Sequence, residues 1–347
     1  MKVSLLSSPR ANQISNKTKR LQRIISALER SGIDGNFHFF DTKKQLQQIL
    51  QAEKPDLVFC VDYYTRGDAN EPENIHQILE DLQVPYIGSD PAALELVLSK
   101  SELKKKWLHN HVSTPPYFVV QKSDSPNRKM KILDKAVDYP YILKPDREGN
   151  SRGLDANSIV FNRMTLESKL KELLAAYEEV LIEKYLGTCP DIREYTVAMI
   201  GNRGNWLLMP ARVILKQKKK FRMITTRDKE DHLTRAVPVL DEDMRKRIMA
   251  ESERAFEVAG VRDYSRCDMI FADGELFAIE INGQPMIPDK WFEECARGLK
   301  LDTDQCINAI FLAGLMRNIK EGKINIQIPS GLRGVLPAEI FERLTSV

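Results

Sequence analysis

The chain has 347 residues, of which 42% are hydrophobic and 29% charged, and its 52 Lys and Arg against 49 Asp and Glu leave a formal charge of +3. That balance excludes a disordered chain and lacks the concentrated positive surface that a DNA duplex requires. The longest apolar run, Ala309 to Met316, falls far short of the ~18–20 residues that span a bilayer, and the Val3 to Leu6 run lacks the ~7–15-residue core of a secretory signal, so a cytoplasmic protein with no membrane or nucleic-acid partner is expected.

At ~100–200 residues per domain, two or three units are expected. The first, residues 1–90, alternates short apolar runs (Val3–Leu6, Phe37–Phe40, Asp56–Val61) with amphipathic stretches at Leu21–Leu28 and Leu46–Leu50. This is the pattern of a parallel α/β layer. Ligands of such sheets sit beyond the carboxyl ends of the strands, which directs attention to Ser7–Asn12 and Asp62–Glu73. A helix over Ile75–Leu82 and a short strand in Val84–Ser89 close the unit.

The second unit, residues 91–187, reads as a small α+β domain: a helical stretch from Pro91 to Trp107, strands at Tyr117–Val120, Tyr139–Lys144, Ser158–Phe161 and Val180–Tyr185, and a helix over Leu166–Tyr177. The third, residues 188–347, holds strands at Tyr195–Ile200, Trp206–Val213, Cys267–Phe271 and Leu276–Ile281. Its helix over Asp241–Ala259 places Met244, Ile248, Ala255 and Phe256 on one face. Asp273-Gly274 predicts a hairpin turn between the last two strands. The five cysteines are scattered, without C-x-x-C spacing, and are expected to be reduced and mostly buried.

The segment richest in chemistry is Arg266-Cys267-Asp268, a turn, then Glu280-Ile281-Asn282. Alternation puts Asp268 on the face of Arg266 and Glu280 on the face of Asn282. Pairing across the turn then brings two carboxylates and an amide oxygen together, a donor set for a hard cation such as magnesium. A second constellation is Lys144-Pro145 followed by Asp146 to Gly153, where a lysine at a strand end and a glycine-containing loop with Ser151 can surround a phosphate. In Leu181–Leu186, backbone groups around Lys184 to Leu186 can meet an adenine, Glu183 can accept from its exocyclic amine, and Glu194 can take ribose hydroxyls. Lys100 offers a further phosphate contact. The basic run Lys216 to Lys220, with Arg222, Arg227 and Lys229, is either a solvated face, a nucleic-acid patch or a lid over a triphosphate.

In this order the segments resemble the ATP-grasp superfamily and, within it, the D-alanine–D-alanine ligase family. The likeness runs from Val84-Pro-Tyr-Ile-Gly-Ser89 through Lys100, Lys144-Pro, Arg147-Glu-Gly, Ser151, Glu183-Lys-Tyr-Leu and Arg193-Glu-Tyr-Thr-Val197 to Arg266, Asp268, Glu280 and Asn282. It implies a three-domain ATP-grasp fold: an N-terminal parallel α/β domain, a central small α+β subdomain and a C-terminal antiparallel-sheet subdomain. It also implies ATP held by Lys100, Lys144, Glu148, Glu183, Lys184, Tyr185, Leu186 and Glu194. Two Mg2+ ions, which Mn2+ can replace, would be bound by Asp268, Glu280 and Asn282. Arg266, Ser151 and Lys216 would take catalytic roles, Arg266 by stabilising the oxyanion of a tetrahedral intermediate. In the family a carboxylate attacks the γ-phosphate and an amine displaces the acyl phosphate. Members are often dimers, which makes a homodimer an expectation.

Three departures bear on the substrate. The family's N-terminal His-Glu pair has no counterpart in Ser7–Asn12, its Asn-Thr-x-Pro-Gly stretch reads Asn282-Gly-Gln-Pro-Met286, and its tyrosine-containing lid is replaced by the basic run and Thr225–His232. The expectation is therefore an ATP-dependent ligase joining a non-standard carboxylate, or an activated oxygen, to an amino acid. Alternatives are D-alanine–D-alanine ligation, addition of an amino acid to a cyclohexenimine-type core as in mycosporine-like pigments, and a non-catalytic nucleotide- or RNA-binding module.

Overall fold

A computed structural model of the protein describes residues 1–8, 14–149, 153–216, 222 and 233–346. In the first domain β1 (Lys2–Ser7), α1 (Ile14–Glu29), β2 (Asp34–Phe39), α2 (Lys43–Glu53) and β3 (Leu57–Cys60) alternate as the apolar pattern predicts. A hairpin of β4 (Tyr64–Arg66) and β5 (Pro72–Asn74) follows inside the stretch read as a loop, because three-residue strands are too short to show a period. With α3 (Ile75–Asp81) and β6 (Tyr86–Ile87), the domain completes a parallel sheet in the order β2-β1-β3-β6.

The single helical stretch expected from Pro91 to Trp107 is two helices, α4 (Pro91–Leu98) and α5 (Lys100–His109). Ser99 interrupts it with extended backbone (φ −94°, ψ 106°), and its hydroxyl accepts from the Glu102 N–H to cap α5. The central antiparallel sheet, ordered β7-β10-β8-β9, is built from β7 (Tyr117–Gln121), α6 (Pro126–Lys135), β8 (Tyr141–Pro145), β9 (Ile159–Val160), α7 (Arg163–Ala176) and β10 (Glu179–Lys184). The unexpected α6 has a Ser125 cap and Pro126 in its first turn, where a missing N–H costs nothing.

The third sheet is antiparallel in the order β13-β12-β11-β14-β15. It comprises β11 (Arg193–Gly201), β12 (Leu207–Leu215), β13 (Thr234–Pro238), α8 (Glu242–Ala259), β14 (Asp263–Ala272) and β15 (Glu275–Asn282). The helices α9 (Lys290–Ala296), α10 (Thr303–Lys320), α11 (Ser330–Val335) and α12 (Ala338–Thr345) complete the chain. Among the described residues no helix is long and apolar enough to cross a membrane. All five cysteines are free and four of them are buried.

Strand alternation divides this sheet's two faces between jobs. Tyr195, Val197, Met199, Cys267, Met269 and Phe271 point into one core with Trp107 of α5 and Ile248 and Phe256 of α8. On the opposite face, Ala198, Ile200 and Tyr264 pack in a second core with α10 and the first domain. Farther along that same face stand Glu194, Arg266 and Asp268, which are only partly buried, and Thr196, which is fully buried. The sheet therefore anchors the first domain at one end and presents polar side chains at the other.

The pairing of β14 with β15 contains a bulge. Arg266 opposes Asn282 and Asp268 opposes Glu280, but Met269 opposes Ala278, so Ile279 is an extra residue on β15. Leu276, Ala278 and Ile281 point into the core, and the parity of the strand changes at the bulge.

Candidate active site

A cavity of about 820 Å³ lies between the central sheet and the five-stranded sheet, with the first domain at one end. The central sheet lines it with Ile142, Lys144, Glu183, Lys184, Tyr185 and Leu186. The five-stranded sheet contributes Glu194, Arg266, Asp268, Ile270, Glu280 and Asn282, and the first domain contributes Lys17, Arg20, Asp62 and Tyr63. Lys100 and Glu148 also line it.

On the central sheet, Val180 and Ile182 of β10 and Tyr141 and Leu143 of β8 enter the subdomain's own core, so alternation turns Glu183 and Lys144 to the cavity. Lys144 Nζ lies 2.5 Å from Glu183 Oε1, and Lys104 Nζ lies 2.8 Å from Glu183 Oε2. Lys104 was not among the expected site residues. Burial by itself would raise the Glu183 carboxyl, but the two ammonium groups outweigh it and bring its pKa down to about 2. Burial pulls the Lys104 ammonium below its usual range, opposed by Glu183 and by Glu280. Lys104 is thus in electrostatic reach of both walls.

Beside this trio, Tyr185 Oη donates to the Arg222 carbonyl at 3.0 Å, and Arg222 Nε lies 2.6 Å from Glu194 Oε1. Arg222 therefore crosses the face where a nucleoside is expected. Lys100 Nζ donates to the carbonyl oxygens of Asp146, at 3.2 Å, and Glu148. This ties the start of α5 to the loop after β8.

On the five-stranded sheet, Asp268 accepts from Thr196 Oγ1 at 2.7 Å and from Arg266 Nε at 3.3 Å. Arg266 also reaches Asp289 at 3.5 Å and lies over the Trp291 ring, 5.6 Å from its centroid. Burial works against its charge, but Asp268 and Asp289 prevail and hold the guanidinium above its ordinary range. Glu280 and Asn282 stand opposite Asp268 and Arg266 in the register. Among the described residues no cluster of three or more His, Cys, Asp or Glu side chains could hold a metal. Asp268, Glu280 and the Asn282 amide supply a smaller oxygen set, which suits Mg2+ when phosphate and water complete its shell.

Of the remaining expected residues, Lys216 is exposed just past β12 and does not line the cavity. Ser151 and the basic positions 218–220, 227 and 229 fall outside the described residues.

The residues 107–293, more than half of the 347-residue chain, match the family described as D-ala D-ala ligase C-terminus. The chain belongs to this D-alanine–D-alanine ligase-like family of the ATP-grasp superfamily. It is 27% identical over 245 residues to a D-alanine–D-alanine ligase of Pelagibacter ubique, covering 70% of this chain and 75% of that one. It is 27% identical over 266 residues to the enzyme of that name from Geobacter sulfurreducens, covering 76% and 77% of the two chains. In fold it resembles the crystal structure of the Bacillus anthracis D-alanine–D-alanine ligase complexed with ATP, with a TM-score of 0.73, 19% identity, and coverage of 93% of this chain and 100% of that one. The multidomain α/β ATP-grasp architecture expected from the motifs is the one observed.

Proposed function

We propose that this protein is an ATP-dependent ligase that forms a carbon–nitrogen bond between a carboxylic acid and an amino acid amine, and that its first substrate is not D-alanine. The observation that carries the reading is the single cavity lined by Lys144 and Glu183 from one sheet and by Arg266, Asp268, Glu280 and Asn282 from another. When bound, ATP with Mg2+ supplies the phosphoryl group that activates the acid.

Each wall has a separate task. Lys144, released from Glu183, and Lys100 are placed to neutralise phosphate oxygens, while Lys184 to Leu186 offer an edge of backbone groups to an adenine. Asp268, Glu280 and Asn282 hold the cation. Arg266, fixed by Asp268, Asp289 and Trp291, keeps its charge in a half-buried site where a developing oxyanion would be stabilised most.

A first substrate other than D-alanine is supported by the first-domain wall. Asp62 accepts from Ser7 Oγ at 2.7 Å and from the Ser8 N–H at 2.8 Å, and it pairs with Lys17. Among the described residues, no other first-domain carboxylate lines the cavity to receive a substrate ammonium. The names of the relatives keep D-alanine–D-alanine ligation as the second reading.

The test is ATP-dependent phosphate release across a panel of amino acids and small acids, with mass spectrometry of the products. Turnover with an acid other than D-alanine is expected. Absence of turnover with every pair, together with absence of ATP binding, sinks the ligase reading; D-alanyl-D-alanine as the favoured product selects the second.

A further inference from the structure

The first-domain wall holds a cation that nothing in the proposed chemistry uses. Lys17 and Arg20 are three residues apart on α1 and both line the cavity, while Leu21, Ile24 and Leu28 turn the rest of the helix into the core. Lys17 is cancelled by Asp62, whose two oxygens are already filled by Lys17, Ser7 and Ser8. Arg20 is half-buried, and no hydrogen bond or ion pair holds it among the described residues.

Its acidic neighbours do not serve it. Asp289 and Asp62 attract Arg20 only at a distance, Asp62 already holds Lys17, Ser7 and Ser8, and Asp289 is engaged by Arg266 at 3.5 Å. Burial lowers the Arg20 pKa by more than those two carboxylates restore. A guanidinium carried into a cavity without a partner costs free energy unless a ligand anion supplies one. Asp289 acts electrostatically on both Arg20 and Arg266, and all three line the same cavity.

We propose that Arg20 is a specificity-determining residue that receives a second anionic group on the first substrate, making that substrate a dicarboxylate-type acid. The proposal rests on the ligase reading. Arg20 repels an ammonium, so an amino acid is disfavoured at this end. A second carboxylate gains a charge-assisted contact, bidentate where the fork of the guanidinium meets both oxygens.

The experiment is calorimetry on the full chain with Mg2+ and a non-hydrolysable ATP analogue, titrating succinate, glutarate, adipate, butyrate, 4-aminobutyrate and D-alanine. At least one dicarboxylate is expected to bind about 10-fold or more tightly than butyrate, with 4-aminobutyrate and D-alanine weaker still. Arg20→Met should erase that margin, Arg20→Lys should keep part of it, and neither should change the affinity for the analogue. Tighter binding of D-alanine or 4-aminobutyrate, no binding of any dicarboxylate, or a margin that survives in Arg20→Met overturns the proposal. Failure of the wild type to bind the analogue is a separate result, which counts against the ligase reading itself.

Discussion

Lys104 Nζ and Glu183 Oε2 lie 2.8 Å apart with side chains only 1% and 3% exposed, a buried ion pair between α5 and β10 in the wall of the cavity. Thr114 Oγ1 also accepts from Lys104, at 2.5 Å, and Lys144 holds the other oxygen of Glu183. When Lys144 turns to a phosphate, Lys104 is the counterion that stays. Removing it strands a buried carboxylate. Lys104→Met should destabilise the fold by about 3–5 kcal/mol in urea denaturation. The double variant Lys104→Met, Glu183→Gln should recover most of that loss, and a double variant as unstable as the single one contradicts the coupling.

The same pair sets an acid limit. With the folded pKa of Glu183 near 2 and an ordinary value of 4.5, the folded state favours the ionised form. Its contribution is therefore complete above pH 4.5 and is lost as pH falls toward 2. Glu183→Gln should flatten the stability profile in that window. An unchanged acid slope in the variant would count against it.

His76 acts in a higher window. Its ring is fully buried, neither nitrogen finds a partner among the described residues, and burial, reinforced by Arg262 and Arg317, depresses its pKa from 6.5 to about 3. Below pH 6.5 the unfolded chain takes up a proton that the folded one refuses, so stability falls as pH drops from 6.5 toward 3. The slope approaches about 1.4 kcal/mol per pH unit. His76→Leu should remove this slope between pH 6 and 5, where Glu183 is silent.

At Gly283, between Asn282 and Gln284, an added Cβ would sit 2.8 Å from Val97 Cγ2 and 3.1 Å from Leu94 Cδ2 of α4. Gly283→Ala forces the Val97 side chain, the helix or the end of β15 to give way. We expect a loss of about 1–3 kcal/mol in stability. Turnover should fall further than ATP affinity if its neighbour Asn282 is displaced and serves in the proposed cation set. Equal losses in the two constants would show that the residue only packs.

Activity variants separate the roles on the five-stranded sheet. Arg266→Met should lower kcat about 100- to 1,000-fold with little effect on ATP affinity. Glu280→Gln should raise the Mg2+ concentration needed for half-maximal turnover as well as lowering kcat. If Arg266→Met weakens ATP binding as much as it slows turnover, Arg266 holds nucleotide rather than the oxyanion.

The clustering of Arg266, Asp268, Glu280 and Asn282 was legible because it depends on a two-residue period and on one turn signal, Asp273-Gly274. Lys144 and Glu183 were legible for the same reason, as residues near strand ends. Lys104 was not, since Lys104-Lys105-Lys106 reads as the solvated face of a helix and its partner lies far along the chain. Arg20 has the same disguise on α1. The break at Ser99 and the hairpin after Asp62 were missed because each is decided by one capping hydroxyl or by strands too short for a pattern. The bulge at Ile279 was hidden by an apolar run, Leu276 to Ile279, that does not alternate.

That bulge makes the site depend on strand register as well as residue identity. Counted without it, Glu280 and Asn282 fall in the same parity as Leu276 and Ala278 and would be driven into the core. Flattening the bulge with Ile279 retained would therefore exchange the proposed cation ligands for aliphatic side chains along the rest of β15, whereas deleting Ile279 would leave a regular strand with Glu280 and Asn282 still facing the cavity. A comparison that tallies matching letters would not register such a slip of register, because every ligand residue would still be present in the chain.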